Sequence, residues 1–195
     1  MPTSGRDDRL MQGLEAALPG VLAGLKRNHF ERYAFLRARL KATDVSQDSE
    51  FQRVFTGLYR VRRDAAWRGH YFRLMEAEKG KPPCFPPVLA AIHLHTGRVE
   101  ASFASKLVAI IHPAQAVYDS VVAANLGLAV PKLYDPPLYR LAMFAETYQV
   151  LNQRMNGLIQ HPSFPGLKQR LAAAFPIESL TDVRVLDLLL WQLRP

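Results

Sequence analysis

The run Thr96-Gly97-Arg98-Val99-Glu100-Ala101-Ser102-Phe103-Ala104-Ser105-Lys106-Leu107 continues through Ile111-His112-Pro113 to Ala116-Val117-Tyr118-Asp119-Ser120-Val121-Val122, and its reading decides the fold. Phe103, Leu107, Ile110 and Ile111 recur at i, i+4, i+7 and i+8, the spacing that lines one face of an α-helix. His112-Pro113 stops that helix, because a proline ring disfavours helical geometry in the residue before it. Upstream, Thr96-Gly97 ends a shorter helix over 88–95, since glycine accepts the left-handed conformation of a helix stop. Downstream, Val117-Tyr118 reads as an extended approach to a helix over 120–126. Asp119 is its N-cap, set to meet the unpaired N–H groups of the first turn.

The same signals recur along the chain. Leu10, Leu14, Ala17 and Leu18 define a helix that Pro19-Gly20 is expected to interrupt, and a second pattern runs through Val21, Leu22, Leu25, Phe30, Tyr33, Phe35, Leu36 and Leu40. Asp48 or Ser49 then caps a long helix carrying Phe51, Val54, Leu58, Val61, Ala65 and Phe72 and reaching Lys79. Gly80 with Pro82, Pro83, Pro86 and Pro87 forms a loop, and a second proline-rich break spans 131–137. Beyond it lie helices over 138–159 and 167–175, and a last one, capped by Thr181 or Asp182, running through Trp191. No window alternates β-branched residues with turn dipeptides, so the predicted class is all-α. The expected architecture is a single compact multi-helix domain over 1–195, with eight to ten helices. Within it lie N-terminal helices (1–45), a basic helix with a hairpin-like motif (46–130) and C-terminal helices (138–195).

Hydrophobic residues make up 49% of the 195 residues and charged residues 22%, which excludes a disordered or fibrous chain. No apolar run reaches the roughly 18 residues of a membrane span, and no signal peptide is read, so a cytoplasmic protein without a membrane partner is expected. A single cysteine, Cys84, excludes an internal disulfide and a thiolate zinc cluster. Lys and Arg number 25 against 17 Asp and Glu, and the resulting charge of +8 favours polyanionic partners, DNA or RNA first among them.

Three groups of residues are candidates for chemistry. The first is the basic stretch Tyr59-Arg60-Val61-Arg62-Arg63-Asp64-Ala65-Ala66-Trp67-Arg68. On a continuous helix Arg53, Arg60, Arg63 and Arg68 fall opposite the apolar stripe, as phosphate-binding or merely solvated side chains would. Arg62 and Arg73 fall at its border, half-buried and needing an acidic or carbonyl partner. The second group is the histidines. His93 and His95, two apart, point about 200° from each other on a helix and cannot jointly hold a metal; no metal and no cofactor are expected. The third is Lys106, at the edge of its helix's apolar stripe, where partial burial lowers an amine's pKa and makes it a nucleophile. Lys106 and Asp119 are candidate catalytic residues, although a solvated lysine and a simple cap are the alternatives.

The glycine-containing hairpin between two helices, the Ser-Lys pair, the apolar helix, the loop with Pro and Gln-Ala-Val and the Asp opening the next helix resemble the helix-hairpin-helix base-excision DNA glycosylases, especially the 8-oxoguanine type. The likeness covers about thirty residues, and Glu100-Ala101-Ser102-Phe103 stands where the family has hairpin glycines. It implies a glycosylase-like helical core and a DNA-repair activity. Lys106 would attack the sugar C1′ and cleave base and strand through a Schiff base, and Asp119 would stabilise charge and shuttle protons. Beside what the resemblance implies, Arg60, Arg63 and Arg68 of the basic stretch with Gly97, Arg98 and Ser102 of the hairpin-like motif are candidate nucleic-acid contacts, and Arg62, Trp67 and Tyr118 are candidate pocket residues. The whole chain is also similar to a bacterial family to which no activity attaches. A non-catalytic helical module that binds nucleic acid or protein, and an enzyme acting on an anionic small molecule, are the alternative functions.

Overall fold

A computed structural model of the chain describes residues 5–82 and 84–193. These form ten helices, with no strand among the described residues: α1 (Gly5–Gly24), α2 (Arg27–Ala42), α3 (Ser49–Leu58), α4 (Ala65–Glu78), α5 (Phe85–Thr96), α6 (Ala101–Ile111), α7 (Ser120–Leu126), α8 (Pro137–Leu158), α9 (Phe164–Ala174) and α10 (Asp182–Gln192). Helices α6 and α10 lie at the centre. On α6 Ala101, Ala104, Ser105, Leu107, Val108, Ala109 and Ile110 are buried, and on α10 so are Val183 and every residue from Val185 to Leu190. A helix apolar around most of its circumference must be enclosed. Helices α2 and α5 cover α6, while α1, α7 and α8 cover α10. One hydrophobic core runs from Met11 to Leu190, so the three segments expected from the sequence form one domain. No described helix is long and apolar enough to cross a membrane.

The caps fall where the sequence places them. Asp48, Asp119 and Thr181 accept the N–H groups of Phe51, Val121 and Arg184, and Gly97 ends α5 at φ 69°. Several boundaries differ. Helix α1 runs through Pro19 and breaks only at Leu25-Lys26. An interior proline costs about 3 kcal/mol, but Pro19 and Gly20 face solvent while Met11, Leu14, Leu18 and Val21 keep one buried stripe across the site. Helix α9 begins at Phe164, because Pro165 falls in the first turn, where its missing N–H has no partner to lose.

The largest difference lies in the basic stretch. The expected continuous helix over 49–79 is two helices, α3 and α4, separated by residues 59–64. Arg60 adopts φ 52° and the Val61 N–H bonds to the Thr56 carbonyl at 2.9 Å, the six-to-one bond of a Schellman stop. Val61, the residue after the left-handed position, is buried, as the apolar residue that follows such a stop commonly is. Asp64 then starts α4 by accepting the Trp67 N–H at 2.8 Å. The helical-wheel placement of the arginines holds for Arg53 and Arg60, which are exposed, and fails beyond the break. Arg62 and Arg73, expected half-buried, are exposed.

Arg63, expected on the solvated face, is instead the arginine with a buried partner. Its Nε and Nη2 donate to Glu100 Oε1 at 3.0 and 2.5 Å, and Trp67 Nε1 donates to Oε2 at 2.9 Å. Glu100, 8% exposed, precedes α6 in the α5–α6 hairpin, so one carboxylate ties that hairpin to the loop before α4 and to α4 itself. Arg63→Ala leaves this carboxylate buried with one donor and is expected to lower unfolding free energy by about 3 kcal/mol. Arg62→Ala is expected to change it by less than about 0.5 kcal/mol. Urea denaturation of the two variants checks the assignment, and equal effects would contradict it.

Candidate active site

A cavity of about 310 Å³ opens between α2, the 59–64 loop, α6, the start of α7 and α10. Lys106 and Asp119 both line it, together with Arg60. Ser105 is the device that brings the first two together. Its hydroxyl, fully buried, donates to the Ser102 carbonyl at 3.0 Å and accepts the Tyr118 N–H at 2.9 Å. The residue before Lys106 is thereby fastened to the residue before Asp119. The chain is extended here, so alternate residues point to opposite sides. Val117 and Asp119 line the cavity, while Tyr118 turns away and packs edge-on against Phe144 at 5.4 Å.

The Lys106 amine donates to Ser102 Oγ at 2.8 Å and lies 5.2 Å from the Phe103 ring centroid and 5.9 Å from that of Tyr59. Burial pushes its pKa below the ordinary lysine value; Asp119 and Asp187 pull it back up, and Arg184 pushes it down again. Asp119 Oδ1 caps α7 through the Val121 N–H at 2.8 Å.

The opposite wall comes from α10 and α2. Arg184 donates through Nη1 to Asp187 Oδ2, and its guanidinium lies 5.3 Å from the Tyr33 ring centroid and 6.0 Å from that of Tyr59. Its Nε is buried without a hydrogen-bond partner. Burial raises the Asp187 pKa to about 6, with Asp119 adding to the rise and Arg184 and Lys106 opposing it. Burial raises Tyr33 and Tyr59 as well, and lowers His29, which also faces Arg32, Arg184, Arg60 and Lys26. Phe30 and Trp191 complete an aromatic lining.

Of the residues expected to border the pocket, Arg62, Trp67 and Tyr118 do not. Arg62 is exposed, and Trp67 is buried, stacked on Tyr71 at 4.8 Å. Of those expected at nucleic acid, Arg60 lies at the cavity, Arg63 is paired with Glu100, Ser102 accepts from Lys106, Gly97 is the α5 stop and Arg98 is exposed in the hairpin, while Arg68 is half-buried on α4. Arg184 and Asp187 were not expected at the site. Their signal was present: a charged pair three residues apart inside the otherwise apolar stretch Val183 to Leu190. Among the described residues no cluster of three metal-ligating side chains occurs; His70 and His95 stack face to face at 3.6 Å.

Comparison with protein-family models, curated proteins and solved structures finds no match. The site is therefore read from its geometry. Ser105→Ala takes away the hydroxyl that accepts the Tyr118 N–H and is expected to cost about 1–3 kcal/mol of stability. Hydrogen exchange, expected to accelerate at Tyr118 and along 116–119 more than at the centre of α6, checks that the loss falls on the loop carrying Asp119.

Proposed function

We propose that the chain acts on DNA as a base-excision glycosylase with strand-cleaving lyase activity, using Lys106 as a Schiff-base nucleophile. The observation that carries this reading is that Lys106 and Asp119 line one aromatic-walled cavity. A nucleophilic amine must first be neutral, and burial favours the neutral form. A cavity of about 310 Å³ is at the small end of ligand pockets, a size suited to one base and its sugar taken out of the helical stack. Aromatic walls supply stacking for a base of any identity. The net charge of +8 supplies attraction to the phosphate backbone.

In this reading Lys106 Nζ bonds to C1′ as the glycosidic bond breaks, and loss of the base and ring opening give the protonated imine. Asp119 provides negative charge beside the developing positive charge at the sugar and accepts protons during ring opening.

Borohydride added to a panel of duplexes, each carrying a single damaged base, is expected to trap a covalent adduct that maps to Lys106. The adduct disappears in Lys106→Gln and is suppressed in Asp119→Asn, whose amide still caps α7. A folded wild-type protein that yields no adduct across the panel but binds duplex in a salt-dependent manner would instead be a non-catalytic nucleic-acid module.

Binding has its own test. Replacing Arg60, Arg68 and Arg98 with Ala is expected to weaken duplex binding at every sequence and to reduce the slope of log K against log salt by about 0.9 for each phosphate that an arginine no longer neutralises. An unchanged slope would remove these arginines from the interface.

A further inference from the structure

The cavity holds a carboxyl group to which the proposed lysine chemistry assigns no task. Asp187 is 4% exposed, lies on the α10 wall and lines the same cavity as Lys106 and Asp119, both of which act on its charge. The charged and titratable groups around it are Arg184 on its own helix, Lys106 on α6, Asp119 before α7, Tyr33 on α2, Tyr59 in the 59–64 loop and Tyr148 on α8. Among these it is hydrogen-bonded to Arg184 alone. A buried ion pair gives a helix little or no stability over apolar residues of similar volume. An Arg–Asp pair with an unpartnered guanidinium nitrogen at a cavity wall is therefore better explained by what enters the cavity than by packing.

Resting on the lysine-nucleophile reading, we propose that Asp187 is the acid that protonates the departing base, a role separate from that of Asp119. As neutral Lys106 Nζ forms its bond to C1′, the bond from C1′ to the base nitrogen breaks and its electron pair remains on that nitrogen. The Asp187 carboxyl delivers its proton there and becomes a carboxylate. The secondary ammonium formed at Lys106 then returns one proton to Asp187, so the net change is transfer of the sugar carbon from base nitrogen to lysine nitrogen and of one proton in the opposite direction. No other reactant is required. The two carboxyl groups suit different tasks because their surroundings differ: Asp187 is enclosed and burial holds it partly protonated near pH 6, while Asp119 is partly exposed with one oxygen on a helix N–H.

An abasic site offers Lys106 an aldehyde and has no base to expel, which separates this role from every other one Asp187 plays. Borohydride trapping is measured in parallel on duplexes carrying a damaged base and on the same duplexes carrying an abasic site. Asp187→Asn is expected to slow trapping from the base-containing duplex at least 100-fold more than trapping from the abasic one. In wild type, the ratio of the two rates is expected to fall about tenfold per pH unit above about pH 6, because the ionisation of Lys106 enters both rates and cancels. The wild-type ratio needs no variant, so it decides the question even if Asp187→Asn fails to fold.

Equal loss on both substrates in a folded Asp187→Asn protein, or a wild-type ratio independent of pH, overturns the proposal while leaving Lys106 as the nucleophile. Trapping on abasic sites with no base excised from any duplex overturns it too, since no base then departs. Absence of trapping on both substrates in wild type defeats the lysine chemistry itself and this role with it.

Discussion

A single buried hydroxyl sets the geometry of the site. Ser105 Oγ has one hydrogen to give and lone pairs to accept with; the Ser102 carbonyl takes the first and the Tyr118 N–H uses the second. In water such a bond is worth little, but here the N–H has no solvent to turn to, and an unpaired buried donor costs about 1–3 kcal/mol. The loop after α6 is therefore held against α6 at one register. Because helix and extended chain each dictate where the next side chain points, fixing the pair 105 and 118 also fixes 106 and 119. Further along the same loop, Asn152 Oδ1 accepts the Ala116 N–H at 2.8 Å and the Tyr148 hydroxyl donates to the Ala116 carbonyl at 2.8 Å. Three side chains from two helices thus support the short segment that presents Asp119.

The periodic parts of this fold were legible in the sequence, and the reasons are local. A polar cap followed by an apolar 3.6-residue pattern needs no tertiary information, so Asp48, Asp119 and Thr181 mark helix starts correctly, and Gly97 marks a stop. The stop at Arg60 was not legible, because the left-handed position is occupied by an arginine where the local rule looks for glycine. The pattern of Phe51, Val54, Leu58, Val61, Ala65 and Phe72 continues in helical register across the break, so periodicity alone joins two helices. Lys106 and Asp119 stood out because their order and context resemble those of a known enzyme family, although locally each has a plain reading as a helix-flank lysine and a helix cap. Arg184 and Asp187 did not, because the meaning of a charged pair in a core helix depends on whether a cavity adjoins it, and that depends on how α10 meets α2 and α6.

Charges of both signs meet at close quarters in the cavity, with Arg60 adding a further cation. Lys106 and Arg184 face Asp119 and Asp187, with the hydroxyls of Tyr33 and Tyr59 among them. Burial opposes the charged state of both Lys106 and Asp187, and each draws the other back toward ionisation. Moving one proton from lysine to carboxyl exchanges two partly desolvated charges for two neutral groups. Arg184 stays charged throughout, because the pull of Asp187 and the tyrosines outweighs the cost of its burial. A fixed cation beside two movable protons gives the site an electrostatic frame that does not depend on the protonation state of either.

The basic surface divides by the same reasoning. Arg63 is neutralised by a carboxylate it cannot leave without exposing a buried charge, so it contributes structure and little field. Arg60 is the opposite case. Its left-handed backbone costs about 1–2 kcal/mol relative to a relaxed helical conformation, a cost that glycine at the same stop would avoid. Against that strain stands the attraction of a guanidinium for a phosphate about 4 Å away, roughly 1 kcal/mol in bulk water and about 4 kcal/mol where a protein surface lowers the effective dielectric. In the proposed reading the two are of similar size, and the second is gained only when a polyanion lies across the cavity mouth. In that reading phosphate binding would add a separate favourable term, while the strain itself is sustained by the Schellman stop that ends α3 through the Val61 N–H and the Thr56 carbonyl.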